Sequence, residues 1–336
     1  MGGIYMPLVK DFFISLSNNT FLNQAARKYG PMLGASKVVV GNSIDEVIKT
    51  IQTLNDKGIT VTVDCLGEFV DSKEQSIKEK KIILTVLQAI YDNNLDAHIS
   101  LKISQLGAEF DVHLAEQNLR EIVEKGKSLG NIHINIDTEK YAGLSNILYV
   151  LDELSKDYDN IGTVVQAYLY SADNMIENYP HIRLRLVKGA YKENASIAYQ
   201  TKEDIDENYI KLIEKRLKSA KNFTSIATHD HKIIDHVKKF VKENNIDCDN
   251  FEFQMLYGFR SELAYEIAED GYHFCIYVPF GEDWFGYFMR RLAERPQNLN
   301  LAVKEFVKPK TLAVGAGAIA AIIGLSFGLK GLKKRK

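Results

Sequence analysis

The sequence lacks the features that mark secreted, nucleic-acid-binding or disulfide-stabilised proteins. Its three cysteines, Cys65, Cys248 and Cys275, stand far apart without a Cys-x-x-Cys pair, which argues against a disulfide framework and fits a reducing compartment. Its net charge is only -2, so it lacks the cationic excess typical of nucleic-acid-binding proteins, and we expect no nucleic-acid partner. Residues 1–10 lack a basic region followed by a long apolar stretch, so we predict no signal peptide.

What the sequence does contain is an alternation of short apolar segments with longer helical ones. The chain has 336 residues, of which 46% are hydrophobic, enough for one large α/β domain or two smaller ones. The pattern predicts eight strands, at residues 61–68, 97–104, 131–137, 162–169, 183–189, 225–230, 251–257 and 273–280. It predicts helices after them, at residues 74–91, 115–129, 144–154, 171–178, 193–220, 231–244, 261–269 and 282–294. Eight such units in about 230 residues favour a (β/α)8 TIM-like barrel over an open doubly wound sheet.

Three segments follow from this pattern. Residues 1–43 are predicted to form an N-terminal helical lead-in, and residues 44–307 the barrel. Residues 308–336 are predicted to form an apolar C-terminal helix with a basic tail.

The segment 183–191 carries the strongest local indication of a site. Arg183 and Arg185 alternate with leucines in a predicted strand, and Gly189 supplies the turn that ends it. A guanidinium inside a covered barrel strand needs an anionic or polar partner, so Arg185 and Lys188 are predicted to line a site. The alternative, a solvated edge with surface ion pairs, has about equal support from the local pattern alone.

The carboxyl ends of the predicted strands are mostly polar. They carry Glu68, Lys102, Asp137, Gln166, Lys188, His229, Leu256 and Tyr277. Catalytic residues of such barrels lie at that rim. The pattern therefore predicts an active site there.

Several of the candidate side chains are cations, namely Lys102, Arg185, Lys188, Arg290 and Arg291. Together they suit a carboxylate or phosphate ligand. Neighbours on a helix point about 100° apart, so one of the last two arginines can face the site while the other pairs with Glu294. The alternative for this pair is an ordinary charged helix face.

A metal site has weak support in the sequence. His229 and His231 stand two residues apart at a strand end, but they need further ligands, and the first strand carries no His-x-His pair. We therefore expect no metal.

Eight short motifs follow one another in order between residues 60 and 298. They are DCLGE at 64–68, LKIS at 101–104, NID at 135–137, VQAY at 165–168, RLVKGAY at 185–191, ATH at 227–229, EFQML at 252–256 and YVP at 277–279. Each motif is weak alone, but eight in this order are highly specific. With them the chain resembles the proline dehydrogenase family, the flavoenzymes that open proline catabolism.

The resemblance implies a distorted (β/α)8 barrel that holds FAD at its carboxyl rim. It implies that Arg185 contacts the flavin near its reactive nitrogen and that Asp137 is the second catalytic residue. The other cofactor-binding positions that it implies are Thr138, Gln166, Val187, Lys188, Gly189, Ala190, Thr228, His229, Gln254 and Glu294.

The resemblance also implies L-proline as the substrate and Δ1-pyrroline-5-carboxylate as the product, with electrons passed to a membrane quinone. Arg290 and Arg291 would hold the proline carboxylate with help from Lys102, which Asp137 would orient. Tyr191, Leu256 and Tyr277 would shape the pocket around the ring. Glu68 would pair with Arg290 as a gate.

The composition of the C-terminal segment indicates membrane association. Residues 311–329 contain no charged side chain and are followed by five basic ones. As a helix this segment would be about 28 Å long, close to the roughly 30 Å of a bilayer core. We expect a cytoplasmic protein at the inner face of the cell membrane. A buried terminal helix or a disordered end is the alternative.

Two other functions stay open from the sequence. One is a flavin-free lyase or aldolase that uses Lys102 or Lys188 as a Schiff-base amine. The other is a non-catalytic scaffold tethered to the membrane.

Overall fold

A computed structural model describes residues 39–41, 43–67, 70–258, 261–281 and 287 of the chain. Residues 38–282 form one compact unit, to which every element below belongs. Its strands are β1 Thr60–Cys65, β2 Ala97–Leu101, β3 Ile134–Ile136, β4 Ile161–Gln166, β5 Arg183–Val187, β6 Thr224–Ala227, β7 Phe251–Leu256 and β8 His273–Phe280. Its helices are α1 Ile44–Asn55, α2 Lys73–Asp92, α3 Val112–Ser128, α4 Leu144–Leu154, α5 Ala172–Asn178, α6 Lys202–Ser219, α7 His231–Glu243 and α8 Ser261–Glu269.

The strands close into a barrel in chain order. Each strand pairs in parallel with the next, and β8 pairs with β1. The predicted α/β barrel is therefore confirmed, and the parallel order places all the carboxyl ends of the strands at one rim.

The outward faces of the strands carry the apolar core. Val63, Ile99 and Ile136 are fully buried against helix residues such as Leu87 and Leu119. Since burying an aliphatic side chain contributes about 1.5–3 kcal/mol, this layer between strands and helices holds the barrel closed.

The inward faces are polar. Arg185 on β5 donates hydrogen bonds to Ser100 on β2 and Thr62 on β1, strands that are not its neighbours in the sheet, so these side chains meet across the lumen. Barrel interiors are usually filled by Val, Ile and Leu. Here a buried hydrogen-bonded network fills the lumen instead, and it reaches the carboxyl rim.

The largest departure from the predicted elements concerns residues 193–220. The helix predicted there begins only at Lys202, where Thr201 accepts a hydrogen bond from the amide of Asp204 and so caps it. Residues 192–201 form a loop that the Leu169 and Ala198 bridge ties to the barrel. The strand predicted at 97–104 also ends early, because Lys102 leads into a 3-10 turn at Ile103–Leu106.

Several predictions lie beyond the described part of the chain. The helix at 282–294 falls there apart from Tyr287, as do nearly all of the N-terminal lead-in and the whole C-terminal helix. The segment boundaries at 43 and 307 stay predictions. Within the described ranges, the helices are all too short or too polar to span a bilayer.

Candidate active site

Arg185 lies at the centre of the polar lumen. Its side chain is 4% exposed, so the alternative of a solvated strand edge is wrong for this residue. Its Nη1 donates to Oδ1 of Asp137 at 2.7 Å and to the hydroxyl of Ser100 at 2.9 Å. Its guanidinium carbon also lies 5.4 Å from the centre of the Tyr277 ring. A buried cation held by this many partners has one orientation.

Asp137, directly after β3, is the acceptor that joins these groups. Oδ1 accepts from Arg185, from the hydroxyl of Ser100 at 2.7 Å and from the amide of Asn135 at 3.1 Å. Oδ2 accepts from the hydroxyl of Tyr277 at 2.8 Å. Burial, followed by the charge of Asp137, raises the pKa of Tyr277 well above its ordinary value. The phenol therefore stays protonated and donates.

Lys102 and Asp64 form a second buried ion pair at the same rim. Nζ of Lys102 lies 3.2 Å from Oδ1 of Asp64. Burial raises the pKa of Asp64, and Lys102 opposes that shift. The family resemblance implied that Asp137 orients Lys102; the ammonium bonds the carboxylate of Asp64, and Asp137 bonds Arg185 and Tyr277.

Lys188, just beyond β5, sits between two carboxylates. Its Nζ lies 2.5 Å from Oδ1 of Asp206 and 3.3 Å from Oδ2 of Asp230. Although burial alone would raise the pKa of Asp230, the charge and hydrogen bond of Lys188 lower it. Lys188 is half-buried, so it lies at the edge of the rim.

The turn that follows Lys188 requires glycine. Gly189 has a φ of +103°, and a Cβ at this position would come within 2.2 Å of the Tyr168 ring. The backbone here thus lies closer to an aromatic ring than any side chain permits. Ala190 and Tyr191 follow it on the half-buried surface of the rim.

Gln166 and Thr138 connect β4 to the loop after β3. Nε2 of Gln166 donates to the Thr138 hydroxyl at 2.8 Å and to the Glu139 carbonyl at 2.9 Å. Oε1 of Gln166 and Nε of Arg185 are buried without a hydrogen-bond partner among the described residues. Buried orphan atoms of this kind usually mark a ligand or a water.

The remaining predicted residues lie on β5 and β7 or directly after β6. His229 accepts at Nε2 from the amide of Leu256 at 3.2 Å, and both residues stand at the carboxyl rim. The Thr228 hydroxyl accepts from the Asp230 amide, and Val187 ends β5. Gln254 differs, because its Nε2 donates to Glu252, deeper in the lumen.

The described cations of the rim are each matched by a carboxylate. Asp64 pairs with Lys102, Asp137 with Arg185, and two aspartates with Lys188. The cationic mouth predicted from the sequence therefore depends on Arg290 and Arg291. These two residues lie outside the described part of the chain, as do their predicted partners Glu68 and Glu294.

Four residues of the network were missed as individual site residues. Asp64 bonds Lys102, Thr62 and Ser100 accept from Arg185, and Asn135 donates to Asp137, the acceptor of Arg185. In the sequence, each of these four residues alternates with aliphatic residues along its strand. Such alternation places the polar side chains on the face of the strand opposite to the aliphatic ones.

Comparisons with known proteins agree with this arrangement. Residues 47–307 match a family described as proline dehydrogenase. The chain is 42% identical to proline dehydrogenase 2 of Bacillus subtilis subsp. natto, over 90% of this chain and 100% of the relative. It is 37% identical to proline dehydrogenase of Deinococcus radiodurans, over 82% of this chain and 90% of that protein.

A solved structure shares the fold. Proline utilization A from Bdellovibrio bacteriovorus, inactivated by N-propargylglycine, superposes with a TM-score of 0.74 at 23% identity. The match covers 86% of this chain but only 35% of that longer one.

Proposed function

The chain belongs to the proline dehydrogenase family, and on that premise we propose that it oxidises L-proline to Δ1-pyrroline-5-carboxylate with FAD as cofactor. Electrons would then pass to a membrane quinone. The observation that carries the proposal is the buried network in which Asp137 fixes both Arg185 and Tyr277 at the carboxyl rim.

The rim has groups suited to a small amino acid. Lys102 offers a buried ammonium of the kind that binds a carboxylate, and its Nζ lies 3.2 Å from Oδ1 of Asp64. Leu256, half-buried at the end of β7, and Tyr277 supply an apolar wall. Arg290 and Arg291 are proposed as the main carboxylate ligands, with Tyr191 completing the wall and Glu68 acting as the gate.

The residues described here fit a flavin. Nε of Arg185 is a buried donor and Oε1 of Gln166 a buried acceptor, and neither has a hydrogen-bond partner among the described residues. We propose that Arg185, Lys188, Gly189, Ala190, Gln166, Thr138, Val187, Thr228, His229, Gln254 and Glu294 hold the cofactor. When bound, FAD would accept the hydride from the ring carbon next to the proline nitrogen.

The protein's own contribution is geometry and charge. Amine oxidation needs the ring carbon held in one orientation and the nitrogen proton removed, so the side chains must mainly position and desolvate the substrate. Asp137 fixes the guanidinium of Arg185 through Oδ1 and the phenol of Tyr277 through Oδ2. A fixed guanidinium favours negative charge that develops beside it.

A lyase that uses a Schiff base has no support from the geometry. Such a mechanism requires a neutral lysine amine. Both candidate amines are instead engaged in ion pairs, Lys102 with Asp64 and Lys188 with Asp206 and Asp230.

The membrane part of the proposal rests on the sequence of residues 308–336. A charge-free stretch of bilayer length followed by basic residues suits a protein that delivers electrons to a lipid-soluble quinone. We place the protein on this basis in the cytoplasm, at the inner face of the cell membrane.

Product analysis tests the reaction. Incubation with L-proline and an artificial electron acceptor should reduce the acceptor and give a product two hydrogens lighter than proline. Borohydride should trap no covalent adduct between substrate and protein. A covalent lysine adduct, or a product of carbon–carbon bond cleavage, would contradict the proposal.

A further inference from the structure

A cavity of about 370 Å³ lies at the amino-terminal end of the barrel, opposite to the candidate active site. It is lined by residues at the strand starts and the loops before them, including His98, His133, Arg183 and Glu252. None of these residues takes part in the proposed reaction. In barrels of this type the amino-terminal end generally serves stability, whereas chemistry occupies the carboxyl rim.

Three potential metal ligands converge there from strands that are distant in the sequence. A ring nitrogen of His98 on β2, a carboxylate oxygen of Glu252 on β7 and Sγ of Cys275 on β8 lie within 4.8 Å of one another. Their exposed fractions are only 5%, 3% and 0%. Imidazole nitrogen, carboxylate oxygen and thiolate sulfur are all ligands that zinc accepts in proteins.

Two histidines at this end have unused buried nitrogens. Nε2 of His98 and Nε2 of His133 have no hydrogen-bond partner among the described residues. Their ring centres lie 5.6 Å apart. Burial, followed by the charge of Arg183, lowers the pKa of His98, and the same causes lower that of His133. Nε2 of His98, buried and without a partner among the described residues, is therefore a nitrogen that a ligand at this end would satisfy.

Glu252 is already oriented as a metal-binding carboxylate would be. Its Oε1 accepts from Arg183 at 2.8 Å, from the hydroxyl of Ser225 at 2.7 Å and from the amide of Gln254 at 2.5 Å. All three bonds go to the same oxygen, Oε1, so none of these donors occupies Oε2. Hydrogen bonds of this kind commonly orient the carboxylate ligands of metal sites.

We propose that His98, Glu252 and Cys275 bind a divalent ion of the zinc class, with a water from the cavity as the fourth ligand. Zinc accepts nitrogen, sulfur and carboxylate oxygen together, at bond lengths that put tetrahedral ligands roughly 3.3–3.8 Å apart. The most distant of the three atoms must therefore approach one another by about 1.0–1.5 Å, so the side chains shift as the ion binds. The thiol of Cys275 loses its proton to solvent as the metal–sulfur bond forms.

The charges in this region are compatible with such an ion. Glu252 and the Cys275 thiolate would contribute two negative charges, which balance the two positive charges of the ion. Arg183 adds one positive charge, and Asp96, which lines the same cavity, adds one negative charge. The guanidinium of Arg183 is already occupied by Glu252 and lies over the ring of Phe223, 4.6 Å from its centre. The ion would link β2, β7 and β8 across the lumen, so its expected role is to stabilise the barrel.

Cobalt substitution tests the proposal. The full-length protein without a histidine tag is stripped with a chelator, kept reduced and titrated with Co²⁺, which gives a thiolate charge-transfer band when it binds cysteine. We expect one equivalent per chain and the same band in Cys65→Ser, a control that alters a buried cysteine outside the cluster. Cys275→Ser should abolish the band, and Glu252→Gln and His98→Asn should each weaken Co²⁺ binding at least tenfold.

Stability gives a second readout that is independent of proline oxidation. One equivalent of Zn²⁺ should raise the thermal midpoint of the stripped protein by at least about 3 °C, and this gain should be lost in Glu252→Gln. Absence of the cobalt band in the stripped wild-type protein would overturn the proposal whether or not the variants fold. An unchanged band in folded Cys275→Ser would do the same.

Discussion

Oδ1 of Asp137 lies 2.7 Å from Nη1 of Arg185 inside the barrel, and the two residues are only 8% and 4% exposed. The pair joins β5 to the end of β3 across the lumen. A buried ion pair adds little to stability as a whole, but removal of one partner leaves the other charge uncompensated.

Asp137→Asn is therefore expected to destabilise the protein by about 3 kcal/mol, because Arg185 then remains buried without its counter-charge. Urea unfolding measures the change. Glu121→Gln is the matched control, because it breaks the 2.7 Å ion pair between Lys80 and the exposed carboxylate of Glu121. This substitution should lower the free energy of unfolding by about 1 kcal/mol or less. Equal effects of the two substitutions would mean that Asp137 does not hold Arg185.

The raised pKa of Asp64 predicts how the stability of the protein changes with pH. Because its pKa is raised above 3.8 in the folded state, the native protein binds this proton more tightly than the unfolded chain does. Its favourable contribution is complete below about pH 3.8 and is lost as the pH rises through the folded-state pKa.

The comparison with Asp64→Asn isolates that contribution. The free energy of unfolding of the wild-type protein minus that of the variant should fall as the pH is raised from about 3.8. Denaturant unfolding of both proteins across this range measures the difference. A difference that grows with pH would show instead that the Lys102 charge outweighs burial at Asp64.

Gly189→Ala should disturb the turn after β5. The substitution forces an alanine to a φ of +103° and puts its Cβ 2.2 Å from the Tyr168 ring, so we expect a loss of about 1–3 kcal/mol in unfolding free energy. On the proposed function, flavin retention should also fall. Gly143→Ala is the control, because a Cβ there meets nothing within 4 Å. If both alanines were tolerated equally, the close approach at Gly189 would not be a requirement of this turn.

Deletion of residues 308–336 tests the predicted membrane segment. The truncated protein should keep its proline-dependent reduction of an artificial acceptor and lose its sedimentation with membranes, because the barrel elements end before this segment. Fractionation of cells that express each form measures the difference. Full-length protein found wholly in the supernatant would count against the anchor.

The order of strands and helices could be predicted because the spacing of the aliphatic residues differs between strands and helices. The starts of β5 and β7 and both ends of β8 were predicted at the observed residues, since an alternating or apolar segment meets a turn signal there. The start of α6 was not predicted, because residues 193–201 have helical composition, and the cap at Thr201 depends on one hydrogen bond.

The site was only partly predictable for a different reason. Strand ends can be located from the sequence, so Asp137 and Tyr277 could be assigned to one rim, and the alternation of arginine with leucine marked Arg185 as a site residue. The partner of Lys102 could not, because Asp64 lies 38 residues away along the chain and reaches it only through the register of β1 against β2. The cluster of His98, Glu252 and Cys275 likewise depends on barrel closure, which brings β2, β7 and β8 around one lumen.

The most direct measurement is the absorption spectrum of the purified protein under anaerobic conditions, before and after addition of L-proline. The proposed function predicts a flavin spectrum at about one equivalent per chain that bleaches with L-proline and not with D-proline, and Asp137→Asn should slow the bleaching. A protein that carries flavin unaffected by L-proline, or that binds no flavin when FAD is supplied, would contradict it.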